Sequence, residues 1–506
     1  MSMEKWAVPV FAVTGFLVSW SLIPLVQRLA ACRLAPPEGR SFHHTHTLPI
    51  SRFGGIAIVA GLVVVVALVA AFLSFDLVRA WAKWGVILGA LGMFALGLRD
   101  DCKPLGAKSK LLIQCLVAMA VWFSGVQIEF LRNPITGAEH DLGAWGFVAT
   151  VFWLVALTNL INLIDGIDGL AGGISLMLMC LLAYFGFAND NFSLFLSVGA
   201  AGSILGFLCY NFPPAKIYMG DGGAYFLGFL IGALTITNSQ KGTVAAALIA
   251  PVFALALPIA DVTLAILRRG LKGLPIFRPD RKHIHHRLVE FGFTRRGAVL
   301  ALYGLSLAFS LLAFVVFWSR GQLAPILFGA MFLIFFVSAR LCGFVKDWNA
   351  VGKELGVSLR LRKETRYALA LCQWLEMEAE RCEDLQELWT TYLFITRKLG
   401  FSQVKLILAR GQAVERDQML SQPSTDFHRN RHEMPLANIK AIEFASESSA
   451  MAPRLFEHLT ELAAEAWMKA VQRWQSVHRI SAVFEPALPS ETAFISRGRA
   501  LVSNAA

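Results

Sequence analysis

"NLINLIDGIDGLAGG", residues 159–173, is the stretch on which the reading of this chain turns. It closes an apolar run long enough to lie in lipid, yet it places Asn159, Asn162, Asp165 and Asp168 at intervals of three. Gly166 and Gly169 are poor helix formers, so the stretch predicts a helix that ends near Ile164 and a loosened turn where the two carboxylates reach water. Asn159 and Asn162 fall in the last two turns of that helix, where a side-chain amide needs a partner or a water-filled cleft. Capping accounts for one such residue; four at one depth point to a site at the membrane surface.

The composition agrees. With 506 residues, 56% hydrophobic and 16% charged, and a mean hydropathy of +0.57, the chain is too apolar for a typical soluble protein. It is expected to be an all-α polytopic integral membrane protein of about eleven transmembrane helices, since about 20 apolar residues span the hydrocarbon core. The runs fall near residues 6–30, 53–75, 81–98, 111–130, 144–163, 169–188, 192–210, 224–238, 244–267, 297–318 and 322–345. The first is read as a retained span, because no small-residue cleavage site follows it. Lys and Arg collect after the third run (Arg99, Lys103, Lys108, Lys110) and after the ninth (Arg268 to Arg296). The positive-inside rule makes both loops cytoplasmic, which puts the N-terminus outside and the C-terminal tail inside. The net charge of +11 is then concentrated on one face, where it meets anionic headgroups or a phosphorylated substrate, and no nucleic-acid module is visible. The eight cysteines form no CxxC pair and are read as small buried hydrophobes rather than disulfides or a zinc site.

Other loops assigned to the same face repeat the polar theme. "LGLRDDCKPLGAKSKLLIQ" carries Asp100, Asp101, Lys110 and Gln114. "YNFPPAKIYMGDGGAYFLG" carries Asn211, Lys216, Tyr218 and Asp221, with glycines that let backbone approach a ligand closely. "RPDRKHIHHRL" adds His283, His285, His286 and Arg287. Acidic residues beside a basic loop make chemical sense where a divalent cation is held and a phosphate is gripped: Mg²⁺ takes one or two carboxylates plus phosphate oxygens, and cationic side chains neutralise a diphosphate. If α-helical, Asp100 and Asp101 point about 100° apart, so one faces the site while the other caps.

These motifs resemble the polyprenyl-phosphate N-acetylhexosamine-1-phosphate transferases: the "DD" at 100–101, the pattern from Asn159, "AKIYMGDGG" before the eighth span, "HIHHRL" from His283, and "HTLPISRFGG", where His46, Pro49, Arg52, Gly54 and Gly55 match. The likeness covers most of residues 1–345, with four motifs in order from Asp100 onward and the first-loop motif ahead of them. It departs from the family at His43-His44-Thr45, where Arg-Lys is usual, and at Ala224, where serine is usual. The resemblance implies transfer of a sugar 1-phosphate from a UDP-N-acetylhexosamine to undecaprenyl phosphate at a bacterial plasma membrane, releasing UMP, with Mg²⁺, or Mn²⁺ in its place. It implies Asp221 and Asp100 as metal ligands, and Asp100, Asp101, Asp165 and His283 as the catalytic set. His46, Arg52, Lys110, Asn159, Asn162, Asp168, Asn211, Tyr218, His285, His286 and Arg287 are implied to hold substrate, with Asp168 near the uracil edge and Tyr218 on its face. "HIHHRL" is similar to the branch that handles GlcNAc phosphate in O-antigen, common-antigen or teichoic-acid synthesis; the alternative is the phospho-MurNAc-pentapeptide branch. A flippase, the rival from another class, predicts charges near the midplane and repeated halves, neither of which the sequence shows.

The tail from Lys346 is a separate polar unit. Apolar spacing over Leu371, Leu375, Leu385, Leu388, Tyr392 and Ile395 predicts one amphipathic helix ending at Gly400. A strand at "VKLIL", a polar loop to Glu433, a second strand near "IKAIEFA" and a helix over about 452–477 follow. The order resembles a truncated GAF-like α+β sensor unit, for which a cytoplasmic regulator is the expected partner; a homodimer is the expected assembly.

Overall fold

A computed structural model describes residues 2–33, 50–72, 81–132, 138–189, 191–239, 292–319, 322–341, 348–408, 413–417, 427–436, 439–447 and 451–478, with isolated positions between 252 and 288. His46, His283, His285, His286 and Arg287, and most of the expected ninth span, lie outside the described residues. The chain separates into two compact units, the second made chiefly of residues 352–506.

The first unit is a helical bundle: α1 Ser2–Arg33, α2 Gly54–Phe72, α3 Trp81–Cys102, α4 Ala107–Phe123, α5 Trp145–Ile164, α6 Leu170–Asn189, α7 Asn191–Asn211, α8 Gly220–Ser239, α9 Arg295–Trp318 and α10 Ala324–Leu341. A small hairpin of β1 Phe130–Arg132 and β2 Glu139–Asp141 precedes α5. Among the described residues seven helices, α1, α2, α3, α5, α6, α7 and α9, are long and apolar enough to cross a bilayer. This is a polytopic helical membrane protein; the described residues do not show the eleven spans expected, and most of the expected ninth lies outside them. The physical reason is visible in α4, which stops at 17 residues, and in α8, which opens on Gly220, Asp221, Gly222 and Gly223 and carries buried Asn238 near its end.

Nearly every side chain from Ala224 to Ile236 of α8 is buried, and α2, α3, α5 and α6 pack around it. The packing is close enough to need glycine: a Cβ on Gly97 of α3 would lie 2.3 Å from the Asp221 carbonyl oxygen. The first turn of α8 is thereby pressed against the end of α3, which sets where the acidic site forms.

The second unit holds α11 Trp348–Glu378, α12 Leu385–Lys398, β3 Gln403–Leu408, β4 Ala413–Asp417, β5 Phe427–Leu436, β6 Ile439–Glu447 and α13 Pro453–His478. The strands form one antiparallel sheet in the order β4-β3-β6-β5. Two expectations are corrected. The single helix to Gly400 is two helices, because Asp384 caps α12 by accepting from the Glu387 amide at 2.6 Å while Glu387 Oε2 accepts from the Glu383 amide at 3.0 Å. The polar loop to Glu433 instead contains β4 and most of β5, whose Arg429, Arg431 and Glu433 face outward while Asn430 Nδ2 reaches Thr460 of α13 at 3.0 Å. Trp389, Tyr392 and Trp467 form the aromatic centre of this core, and the Tyr392 hydroxyl donates to the Ala463 carbonyl at 2.9 Å.

Candidate active site

α3 does not stop at Leu98; it stays helical through Cys102, so Asp100 and Asp101 project in different directions. Asp100 is 7% exposed. Its Oδ1 accepts from the Leu105 amide at 2.6 Å, and its Oδ2 pairs with the Lys110 ammonium. Asp101 turns to α8 instead. Its two oxygens accept from the Asp221 amide at 3.0 Å and the Gly222 amide at 2.9 Å, satisfying otherwise unpaired donors of a helix start. The cap is therefore for α8, not for the span that carries Asp101, and both oxygens are occupied by backbone.

Asp221 stands in the first turn of α8, ahead of the apolar stretch that begins at Ala224. Its Oδ1 accepts from Asn162 Nδ2 at 2.9 Å, and its Oδ2 lies 3.5 Å from Lys110 Nζ. Lys110 is thus held between Asp100 and Asp221. Behind it, Asn159 Nδ2 donates to Gln114 Oε1 at 2.7 Å and to the Val155 carbonyl at 2.8 Å. Gly220, which starts the helix at φ 75°, has no room for a side chain: a Cβ would lie 2.0 Å from the Arg52 carbonyl oxygen and 2.7 Å from Asp101 Oδ2.

The turn after α5 is tied to the loop before α8. Asp168 Oδ2 accepts from the Ala215 amide at 3.0 Å. Asn211 Oδ1 accepts from the Gly169 amide at 2.9 Å, and its Nδ2 donates to the Ile217 carbonyl at 2.8 Å. At 2% exposed, with both ends of its amide bonded to backbone, Asn211 braces the two loops. Tyr303 Oη donates to the Gly169 carbonyl at 2.5 Å, and Arg296 Nε to the Pro213 carbonyl at 2.7 Å, so the start of α9 secures the same loops. Tyr218 is half-buried; its amide donates to the Ser51 carbonyl at 2.8 Å, and the Gly54 amide donates to its own carbonyl at 2.9 Å.

The site carries more negative than positive charge. Burial, with the carboxylates of Asp100 and Asp101 nearby, pushes Asp221 up to about 6 from an ordinary 3.8. Asp165, at the end of α5, is held well above the usual carboxylate range by desolvation and by Asp221, Asp101 and Asp168. Among the described residues no three His, Cys, Asp or Glu side chains are grouped to enclose a metal. A two-carboxylate arrangement does fit one: the ammonium of Lys110 stands where a cation would sit between Asp100 and Asp221, and Mg²⁺ takes one or two carboxylates and draws its remaining ligands from water and phosphate.

The structure thus brings together Asp100, Asp101, Lys110, Asn162, Asp165 and Asp221, with Asn159 one layer behind. Gln114, named from the sequence beside Lys110, follows it by one turn. Residues not singled out from sequence also reach the site. Tyr225, 2% exposed and one turn after Asp221, faces its carboxylate. Tyr303 and Arg296, far along the chain, carried no local signal.

Fold and site together define a class: a polytopic helical membrane protein with a carboxylate-rich centre where four of its helices meet. The pattern described as glycosyl transferase family 4 matches residues 83–239. A probable undecaprenyl-phosphate N-acetylglucosaminyl 1-phosphate transferase of Bacillus subtilis is 35% identical over 340 residues, 66% of this chain and 93% of that protein. The decaprenyl-phosphate N-acetylglucosaminephosphotransferase of Mycobacterium tuberculosis is 30% identical over 58% of this chain and 77% of its own. A phospho-N-acetylmuramoyl-pentapeptide-transferase of Desulforudis audaxviator is 34% identical over 59% of this chain and 98% of its own. The chain belongs to the polyprenyl-phosphate N-acetylhexosamine-1-phosphate transferases of glycosyl transferase family 4.

Proposed function

We propose that this chain transfers GlcNAc 1-phosphate from UDP-GlcNAc to undecaprenyl phosphate, giving undecaprenyl-diphospho-GlcNAc and UMP at the start of a cell-envelope glycan. One observation carries the reading: Lys110 lies between Asp100 and Asp221, a charge arrangement suited to a cation and a diphosphate at one point. In the reaction an oxygen of the lipid phosphate forms a bond to the β-phosphorus of the donor, and the bond from that phosphorus to UMP breaks. The protein's task is then to place the groups in line and to neutralise charge.

Asp221 and Asp100 would hold Mg²⁺. When bound, the ion supplies charge neutralisation at the diphosphate. Asn162 orients Asp221 through its hydrogen bond. Asp101 fixes the first turn of α8 and so the position of Asp221 itself. Lys110 contributes a fixed positive charge to the phosphates. Asp165 and Arg52 border the same centre, and Tyr218 offers an aromatic face for the uracil, with Asp168 at its edge. His46, His283, His285, His286 and Arg287 are assigned to diphosphate and sugar by their motifs alone. The nucleotide sugar requires this face to be cytoplasmic, with the N-terminus outside, in agreement with the positive charge of the loops.

The test is transfer itself. Membranes containing the full chain, incubated with undecaprenyl phosphate, Mg²⁺ and each of a panel of UDP-sugars, should release UMP from UDP-GlcNAc. Release only from the UDP-MurNAc-pentapeptide would assign the other branch, and no release with any donor would refute the reading.

A further inference from the structure

One polar pair, buried at Gln114 and half-buried at Asn159, takes no part in the chemistry above. Gln114 on α4 is 0% exposed and lies one turn beyond Lys110; Asn159 on α5 lies one turn before Asn162. The two neighbours converge on Asp221, Lys110 Nζ at 3.5 Å from Oδ2 and Asn162 Nδ2 at 2.9 Å from Oδ1. One turn away, Asn159 Nδ2 joins the helices by donating to Gln114 Oε1 at 2.7 Å. The direction of that bond is determined. Asn159 Nδ2 also donates to the Val155 carbonyl at 2.8 Å, so its amide cannot be reversed, and Gln114 must turn its oxygen toward it. Gln114 Nε2 is then left buried with no hydrogen-bond partner. A glutamine that leaves a buried donor unsatisfied is kept in place by what its acceptor does.

We propose that the Gln114–Asn159 bridge is a positioning clamp: it fixes the rotation and separation of α4 against α5, and thereby sets Lys110 and Asn162 on the two oxygens of Asp221. The helical offsets make this mechanical. Residues four apart on α4 and three apart on α5 share a face, so locking one turn locks the next. The catalytic consequence rests on the transferase reading given above; the geometric one does not.

The test compares Gln114→Met with Gln114→Glu in the full chain. Methionine keeps the length and removes both polar atoms. Whether protonated or ionised, the carboxyl introduced by Gln114→Glu keeps an oxygen to accept from Asn159, and it removes the Nε2 amide donor with at most one O–H in its place. Two readouts are taken: UMP release from UDP-GlcNAc, and the spin-label distance between Lys108→Cys and Leu163→Cys in a background with the native cysteines replaced. We expect Gln114→Met to lower kcat at least tenfold, to leave the donor KM within twofold, and to broaden the distance distribution. Gln114→Glu is expected to restore kcat to within threefold and the distribution to its parental width. Equal loss in both variants would show that an acceptor at position 114 does not rescue the geometry and would overturn the clamp, as would a Gln114→Met chain with parental kcat. Should the parent release no UMP from any donor, the transferase reading fails, and the distance widths still decide: broadening confined to Gln114→Met supports the clamp, and equal widths overturn it. Asn159→Leu breaks the bridge from the other side; it must broaden the distribution too, which covers a Gln114→Met chain that fails to fold.

Discussion

Asp221→Asn is expected to abolish transfer and, at the same time, to make the metal-free protein more stable. Burial raises the Asp221 carboxyl from 3.8 to about 6. A raised carboxylate favours the protonated form in the folded chain. Below pH 4 both folded and unfolded states hold the proton and nothing is lost; stability falls as pH rises from 4 to 6, and above 6 the full penalty of an ionised buried group remains. About two units at ~1.4 kcal/mol each give about 3 kcal/mol, and since the side chain is 32% exposed screening brings this to roughly 1–3 kcal/mol. Asparagine removes the charge, keeps an oxygen to accept from Asn162, and leaves Lys110 paired with Asp100. At pH 7.5 in EDTA its unfolding midpoint should rise by about 2–5 °C, with no change near pH 4. The chain carries 13 tryptophans, so intrinsic fluorescence in detergent reports the transition. Mg²⁺ at 100-fold over its Kd would add about 2.7 kcal/mol to the parent, close to the penalty it relieves, and little to Asp221→Asn. A lower midpoint for Asp221→Asn in EDTA, or an equal Mg²⁺ shift in both proteins, would refute the reasoning.

Three other outcomes follow from the same geometry. Gly220→Ala should lower the unfolding midpoint and remove activity, because its Cβ meets the Arg52 carbonyl at 2.0 Å in a left-handed turn, whereas Gly304→Ala, with nothing within 4 Å, should match the parent in both measurements. An impermeant thiol reagent applied from outside should label Asn191→Cys, at the start of α7, and not Lys108→Cys, in a chain without native reactive cysteines; the opposite pattern would invert the proposed orientation. Deleting the chain from about residue 353 should leave Mg²⁺-dependent UMP release measurable, since the carboxylate centre is built wholly from the first unit. A truncated protein that stays monodisperse and releases none would make the second unit part of the catalytic machinery.

The membrane character, the approximate spans and the candidate carboxylates were legible in the sequence, because each is a local property. Hydropathy over twenty residues reports transfer into lipid, and Asn159 to Asp168 announce polar cost at one depth. The end of α5 likewise follows from nearby Gly166 and Gly169. In the second unit the same logic failed where a local cap intervened: the periodicity of α11 continues into α12, and only the Asp384 and Glu387 pair divides them. What tertiary structure alone decided is which carboxylate does what. Asp100 and Asp101 are adjacent and chemically identical; one meets Lys110 and the other meets the first amides of α8 because α3 stays helical past Leu98 and Gly97 lets α8 come close. Asn211 braces the turn after α5 against the loop before α8, and Tyr303, 134 positions from Gly169, holds the turn that Asp168 shares. A sequence states which side chains exist and what their neighbours along the chain permit; which of two equal groups finds a partner is set by contacts between helices that are distant in sequence and fixed only when the bundle packs.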